Sequence, residues 1–210
     1  MKKALLILAM SVSVMMMSCK TEEEVAERNV GPKGENGHAY VDLGLSVKWA
    51  ACNIGASVPE ENGYYYSWGE LNAKSKYTNE TCLTNGIELG DISGDAKYDV
   101  ASSKWGGSWR VPTGAEIAEL IEKCEWKMEE REGVKGYKVT GTNGNSIFFP
   151  MSGHQRGSSV SEEGQGGCYM SSTAYEGNNN LAYNLDFDSA KQKLDWGPRL
   201  RGFSVRPVKA

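Results

Sequence analysis

Five cysteines and two histidines carry the nucleophilic and soft-metal chemistry open to this chain of 210 residues. Their spacing decides what they can do. Cys19 follows Lys2, Lys3 and an apolar run from Ala4 to Met17, with the small residue Ser18 directly before it. A basic start and a short apolar core read as an export signal, since the run is too short to span a bilayer comfortably. A cysteine placed there is expected to accept lipid and become the diacylated N-terminus, anchoring the chain without spanning the membrane. The alternative is an ordinary secretory signal with an incidental cysteine. The other cysteines, Cys52, Cys82, Cys124 and Cys168, have no Cys-x-x-Cys spacing and no clustered histidines, which argues against zinc. Export permits disulfides, and four cysteines allow three full pairings, all left open.

The remaining catalytic options are thin. His38 lies in a linker region and His154 in a Gly/Ser-rich stretch, and no serine sits in a Gly-x-Ser-x-Gly elbow. Asp186, Asp188 and Asp195 have the types for a carboxylate pair, but acids so spaced are more often the solvated side of strands and turns. The expectation is a protein without catalysis, cofactor or metal. A net charge of −4 with no Lys/Arg cluster also excludes nucleic acid, which requires concentrated positive charge. Recognition chemistry is denser near the C-terminus, at Tyr175, Asn178, Asn179, Asn180, Tyr183, Asn184, Trp196, Arg199 and Arg201. Aromatic, amide and guanidinium groups make adaptable binding surfaces. The plainer reading is a buried Tyr183 and an Asn178–Asn180 turn.

Elements must hold these groups in place. Residues 1–18 form the expected signal. Residues 19–36 form a tether, acidic at Glu22-Glu23-Glu24 and rich in turn formers at Gly31-Pro32-Lys33-Gly34. Residues 37–210 form one domain, holding all six Trp and all ten Tyr. Val111-Pro112 enforces an extended approach, Thr113 caps a helix, and Glu116 completes a capping box. Ile117, Leu120, Ile121 and Cys124 give that helix its apolar stripe, and it stops between Cys124 and Trp126. A weaker helix is expected over 95–105, where Tyr98, Ala101 and Trp105 share a face. Val47, Trp49 and Ala51 alternate as a strand. Tyr137 and Val139 lead through Asn143-Gly144 to Ile147, Phe148 and Phe149 as a hairpin. Leu181, Tyr183, Leu185 and Phe187 alternate with polar or small residues as a half-buried strand. Phe203 to Pro207 closes the chain as an edge strand or strand end. The class is α+β: one or two helices packed on short, mostly antiparallel irregular sheets.

Three motifs carry a resemblance. They are Tyr40-Val41-Asp42-Leu43-Gly44-Leu45, the block Trp105-Gly106-Gly107-Ser108-Trp109-Arg110-Val111-Pro112-Thr113 with Glu116, and Gly202-Phe203-Ser204-Val205-Arg206-Pro207-Val208. In this order they resemble gut Bacteroidetes lipoproteins with the Fibrobacter succinogenes major paralogous domain. Those are similar to the C-terminal domain of a Legionella collagen-like adhesin and, more distantly, to the C-type-lectin-like fold of formylglycine-generating enzymes. The resemblance implies structural roles for Trp105, Trp109, Arg110, Pro112, Thr113, Glu116, Phe203 and Arg206. It also implies an outer-membrane lipoprotein, at the cell surface or the periplasmic face, whose partners are the membrane and a glycan or protein ligand. The acidic run after Cys19 resembles an export signal to the outer face. By the same analogy the C-terminal segment is a candidate for retroelement diversification.

The chain departs from those relatives at Gly167-Cys168-Tyr169-Met170-Ser171-Ser172, where they carry a tryptophan at the Met170 position; looser local packing is expected there. The cysteine pair and the histidines of the enzymes that share the fold are missing, as are the calcium-binding motifs of sugar-binding lectins. A structural or adhesin-like role is the competing expectation, and a degenerate enzyme the weaker one.

Overall fold

The computed structural model describes residues 32–210. The expected signal, Cys19 and the tether up to residue 31 lie outside the described residues. No helix among the described residues is long and apolar enough to cross a membrane.

Among the described residues, two α-helices and four small antiparallel sheets make an α+β domain. The helices are α1 (Val100–Trp105) and α2 (Gly114–Lys123), the second being the helix read from the sequence. Thr113 accepts from the Glu116 backbone, and the Glu116 carboxylate accepts from the Thr113 backbone, which satisfies two donors that no helix can satisfy internally. Ile117 and Leu120 are buried, and Cys124 terminates the helix in an extended conformation.

Strands β1 (Tyr40–Val41) and β2 (Lys48–Ala50) pair near the start of the domain. The expected alternation around Trp49 does not hold, because Ala50 and Ala51 are both buried. A strand enclosed by chain on both sides has no solvated face. Strands β3 (Glu125–Arg131), β4 (Val134–Thr140) and β5 (Ser146–Pro150) form the next sheet. Between β4 and β5 runs the Asn143-Gly144 turn. Strand β3 was invisible to pattern reading. It is a charged edge joined to β4 by Glu132 (φ 49) and Gly133 (φ 80), a two-residue turn whose twist suits a hairpin.

A short ribbon, β6 (His154–Arg156) with β7 (Ser159–Ser161), precedes the three-stranded sheet of β8 (Gly166–Ala174), β9 (Leu181–Asp188) and β10 (Gln192–Pro198), with β9 central. The last strand is β11 (Val208–Lys209), which pairs with β2 and so joins the two ends of the domain. The segment from Phe203 to Pro207 is therefore not an edge strand. It threads the interior, bridging Tyr66 at Phe203 and Tyr169 at Ser204, and Val205 and Arg206 are wholly buried.

Two apolar clusters fill the domain. One joins Ile117 and Leu120 of α2 to Tyr137, Phe149, Tyr169, Leu185 and Phe187. The other gathers Trp68, Val100, Val111, Met170, Ala182 and Phe203. Met170 is 1 % exposed there, so the looser packing expected at this position is not found.

The helix expected over 95–105 is shorter, α1 (Val100–Trp105). Asp99 caps it, and both oxygens are committed: Oδ1 accepts from Ala101 and Ser102, Oδ2 from Gly94 and Val111. With its side chain so engaged in an extended conformation, Asp99 ends the helix and leaves Tyr98 outside it. Ordered chain also begins before Gly37. The Tyr40 backbone donates to the Pro32 carbonyl, Asn36 donates to the Trp105 carbonyl, and the His38 ring stacks on Trp105 at 3.7 Å.

Candidate functional site

The candidate surface is built on β9 and β10. Their register sets Tyr183 opposite Trp196 and Asn184 opposite Asp195. Because side chains alternate across a strand, these two pairs point to opposite sides of the sheet. On the first side, Tyr175 joins Trp196 at 5.1 Å and Tyr183 at 5.4 Å between ring centroids. Trp196 is 50 % exposed and Tyr175 and Tyr183 are half-buried, so the three rings form an aromatic ledge open to solvent. Tyr183 was expected in the buried set; β9 instead buries Ala182 and Asn184 at this end.

The exposed turn Asn178–Asn180 directly precedes β9. Asn178 Oδ1 accepts from the Asn180 backbone, and the Asn179 and Asn180 carbonyls accept from Gly86 and Arg199. The Asn179 and Asn180 side chains are exposed. Tyr175, Tyr183 and Trp196 thus share one surface, and the exposed Asn178–Asn180 turn lies in the same β8–β9 connection as Tyr175.

Three expected members do not. Asn184 is 3 % exposed and lies on the side of the sheet away from Trp196, so it does not reach this surface. Arg199 is 1 % exposed. Its guanidinium donates to the carbonyls of Leu181, Thr84 and Ile87 and lies 4.0 Å over the Trp68 ring. It ties the Thr84–Ile87 loop to β9, a structural task. Arg201 reaches neither, lining instead a cleft with Asp186 and Asp195, whose positions lie on the side of the sheet away from Trp196.

That cleft, of about 580 Å³, was not read from the sequence. His154 and Arg156 come from β6, Glu162 from the turn after β7, Cys168 and Asp186 from β8 and β9, and Lys193 and Asp195 from β10. The Cys168 thiol donates to Asp186 at 3.3 Å and lies 4.0 Å from His154 Nδ1. Burial, reinforced by the Asp186 carboxylate, pushes the thiol far up, so it is held as a neutral thiol and is a poor nucleophile. Burial likewise holds His154 below its ordinary value, with Arg201 adding to the effect. Among the described residues no three His, Cys, Asp or Glu side chains are grouped to hold a metal ion, and all four cysteines are free thiols. The only local sign of this cleft was His154 and Arg156 two residues apart, on one side of a strand.

The residues of the resemblance form a frame. Arg110 and Glu116 make a two-pronged ion pair that locks the turn to the first turn of α2. Trp109 is buried edge-on to Trp105. Arg206, wholly buried, donates to Asn53 Oδ1 at 2.7 Å and to the carbonyls of Ala50, Ala51 and Phe148. Its charge is thereby solvated by carbonyl dipoles in place of water.

Residues 113–208 match a family model described as Domain of unknown function (DUF8237). The match starts at the cap of α2 and runs to β11, so both the aromatic ledge and the polar cleft lie within it. No curated protein and no solved structure matches the chain.

Proposed function

We propose that this protein is an envelope lipoprotein whose α+β domain, of C-type-lectin-like architecture, binds a glycan or protein ligand without catalysing a reaction. The observation that carries this reading is the ledge of Trp196, Tyr175 and Tyr183. A tryptophan half-exposed among other rings forgoes roughly half of the 1.5–3 kcal/mol that full burial of a large apolar side chain is worth. It offers instead a rigid flat face, the kind of surface on which sugar rings stack and interface hot spots form. The exposed Asn179 and Asn180 amides, in the same β8–β9 connection as Tyr175, supply hydrogen bonds to hydroxyl or backbone groups. The capped turn Arg110–Glu116 and the buried Phe203–Val208 thread support the lectin-like architecture, and Cys19 carries the proposed anchor.

Binding is tested on glycan arrays and against host and bacterial surface proteins with the protein lacking residues 1–18. Specific retention lost on Trp196→Ala is the expected result. Retention identical in the unaltered protein, Trp196→Ala and Tyr175→Ala removes the ledge as a binding surface. Labelling of intact cells with radioactive palmitate tests the anchor, with Cys19→Ala as the unlabelled control.

A further inference from the structure

The β6 strand meets the C-terminal thread at Gln155 and Gly202, which exchange both backbone hydrogen bonds at 2.8 and 2.9 Å. One step outward on each chain stand Arg156 and Arg201, both lining the polar cleft and both acting electrostatically on His154. Like charges facing across an antiparallel pair repel. The other arginines of the described residues are all engaged: Arg110 with Glu116, Arg131 with Glu129, and Arg199 and Arg206 with carbonyls. Among the described residues, Arg156 and Arg201 have no hydrogen-bond or ion-pair partner for their guanidinium groups.

Four acids line the cleft and none of them is bonded to either arginine: Glu162 faces His154 Nδ1 at 3.4 Å, and the other three have partners of their own that leave part of their lone pairs open. Asp186 accepts the Cys168 thiol, Asp195 pairs with Lys193, and Asp188 caps the backbone of Ala190 and Lys191. Two guanidinium forks are therefore left for a ligand, each matched in shape to a planar two-oxygen anion. The cleft lining holds four carboxylates against three Lys and Arg, so an anion is held there by the two arginine forks and not by net charge, and the surrounding acids repel a doubly charged phosphate more strongly than a single carboxylate. Its mostly polar wall offers little to an apolar side chain and much to hydroxyl groups, which the free lone pairs of Asp186 and Asp195 can accept.

We propose that this cleft binds a carboxylate-bearing sugar of the uronic-acid class, with Arg156 and Arg201 holding the carboxylate and Asp186 and Asp195 accepting ring hydroxyls. The inference does not rest on the aromatic ledge, which lies on the other side of the sheet.

The test is an NMR titration of the isotope-labelled protein without residues 1–18. Glucuronate, glucose, inorganic sulfate and a short glutamate-rich peptide are the probes. The expected result is saturable shifts at His154, Gly166 and Gly167 with glucuronate, none at the Trp196 indole, and affinity for glucose and sulfate at least about tenfold weaker. Arg156→Ala and Arg201→Ala each weaken glucuronate at least about tenfold, and Arg201→Lys restores only part, since a point charge replaces a fork. Equal affinity for glucuronate and glucose in the unaltered protein overturns the proposal without recourse to any variant. So does tighter binding of sulfate or of the peptide, or glucuronate shifts confined to Trp196.

Discussion

Trp196 stands directly opposite Tyr183 across β9 and β10, and the next pair in register, Asn184 and Asp195, faces the other side of the same sheet. A stretch that reads as one recognition segment is thus divided between two surfaces. One carries the aromatic ledge. The other carries the cleft with its two arginines that have no partner among the described residues.

Replacing Trp196 or Tyr175 by alanine should weaken ligand retention at least tenfold, about 1.4 kcal/mol, a typical loss for an aromatic anchor. Because Trp196 is half-exposed, stability should change by no more than about 1 kcal/mol. Thermal melts run beside the binding measurement separate the two effects.

Arg199→Ala and Arg201→Ala should differ sharply in stability. The first strips three carbonyls and the Trp68 face of a buried cation, and should cost about 3 kcal/mol, roughly 10 °C in Tm. The second removes a group that makes no bond among the described residues and should stay within about 0.5 kcal/mol. Urea unfolding of both variants checks this, and equal losses would contradict the assignment of Arg199 to structure.

Asp99→Ala should be more damaging than Thr113→Ala. Asp99 satisfies four backbone donors and is wholly buried, so its loss should cost about 3 kcal/mol or more. Loss of the Thr113 cap should cost about 1 kcal/mol. Chemical denaturation should rank them in that order.

Acid should destabilise the fold before its carboxylates titrate. Burial holds His154 and His38 below their ordinary value of 6.5. As pH falls through that value the unfolded chain takes up protons before the folded one does. Stability is therefore full above about pH 6.5 and declines from there towards the lower folded pKa. Melts between pH 7.5 and 5 should show the decline, and His154→Gln should reduce it. No decline in that window would mean the rings are already solvated.

Local sequence was sufficient where a few neighbouring residues settle the outcome. Thr113 and Glu116 are three apart and cap each other, so α2 was legible with its start and its stop. Asn143-Gly144 sits between two apolar runs, so the β4–β5 hairpin was legible too. Strand β3 was not, because Glu125-Trp126-Lys127-Met128-Glu129-Glu130-Arg131 is an edge whose charges protect it and erase the alternation that marks a strand.

Local pattern also cannot say which side of a central strand meets solvent. β9 is paired on both edges, and its partner β8 shifts register between Met170 and Ala174, so burial along β9 changes from one end to the other. Arg199 and Arg201 are alike in type and two residues apart. What separates them is which carbonyls arrive from distant Thr84, Ile87 and Leu181. The chain by itself determined the α+β class, the capped helix, the hairpin and a C-terminal concentration of recognition chemistry. Only tertiary structure decided which of those groups reach solvent and which reach each other, because long-range pairing and packing are absent from any short window of sequence.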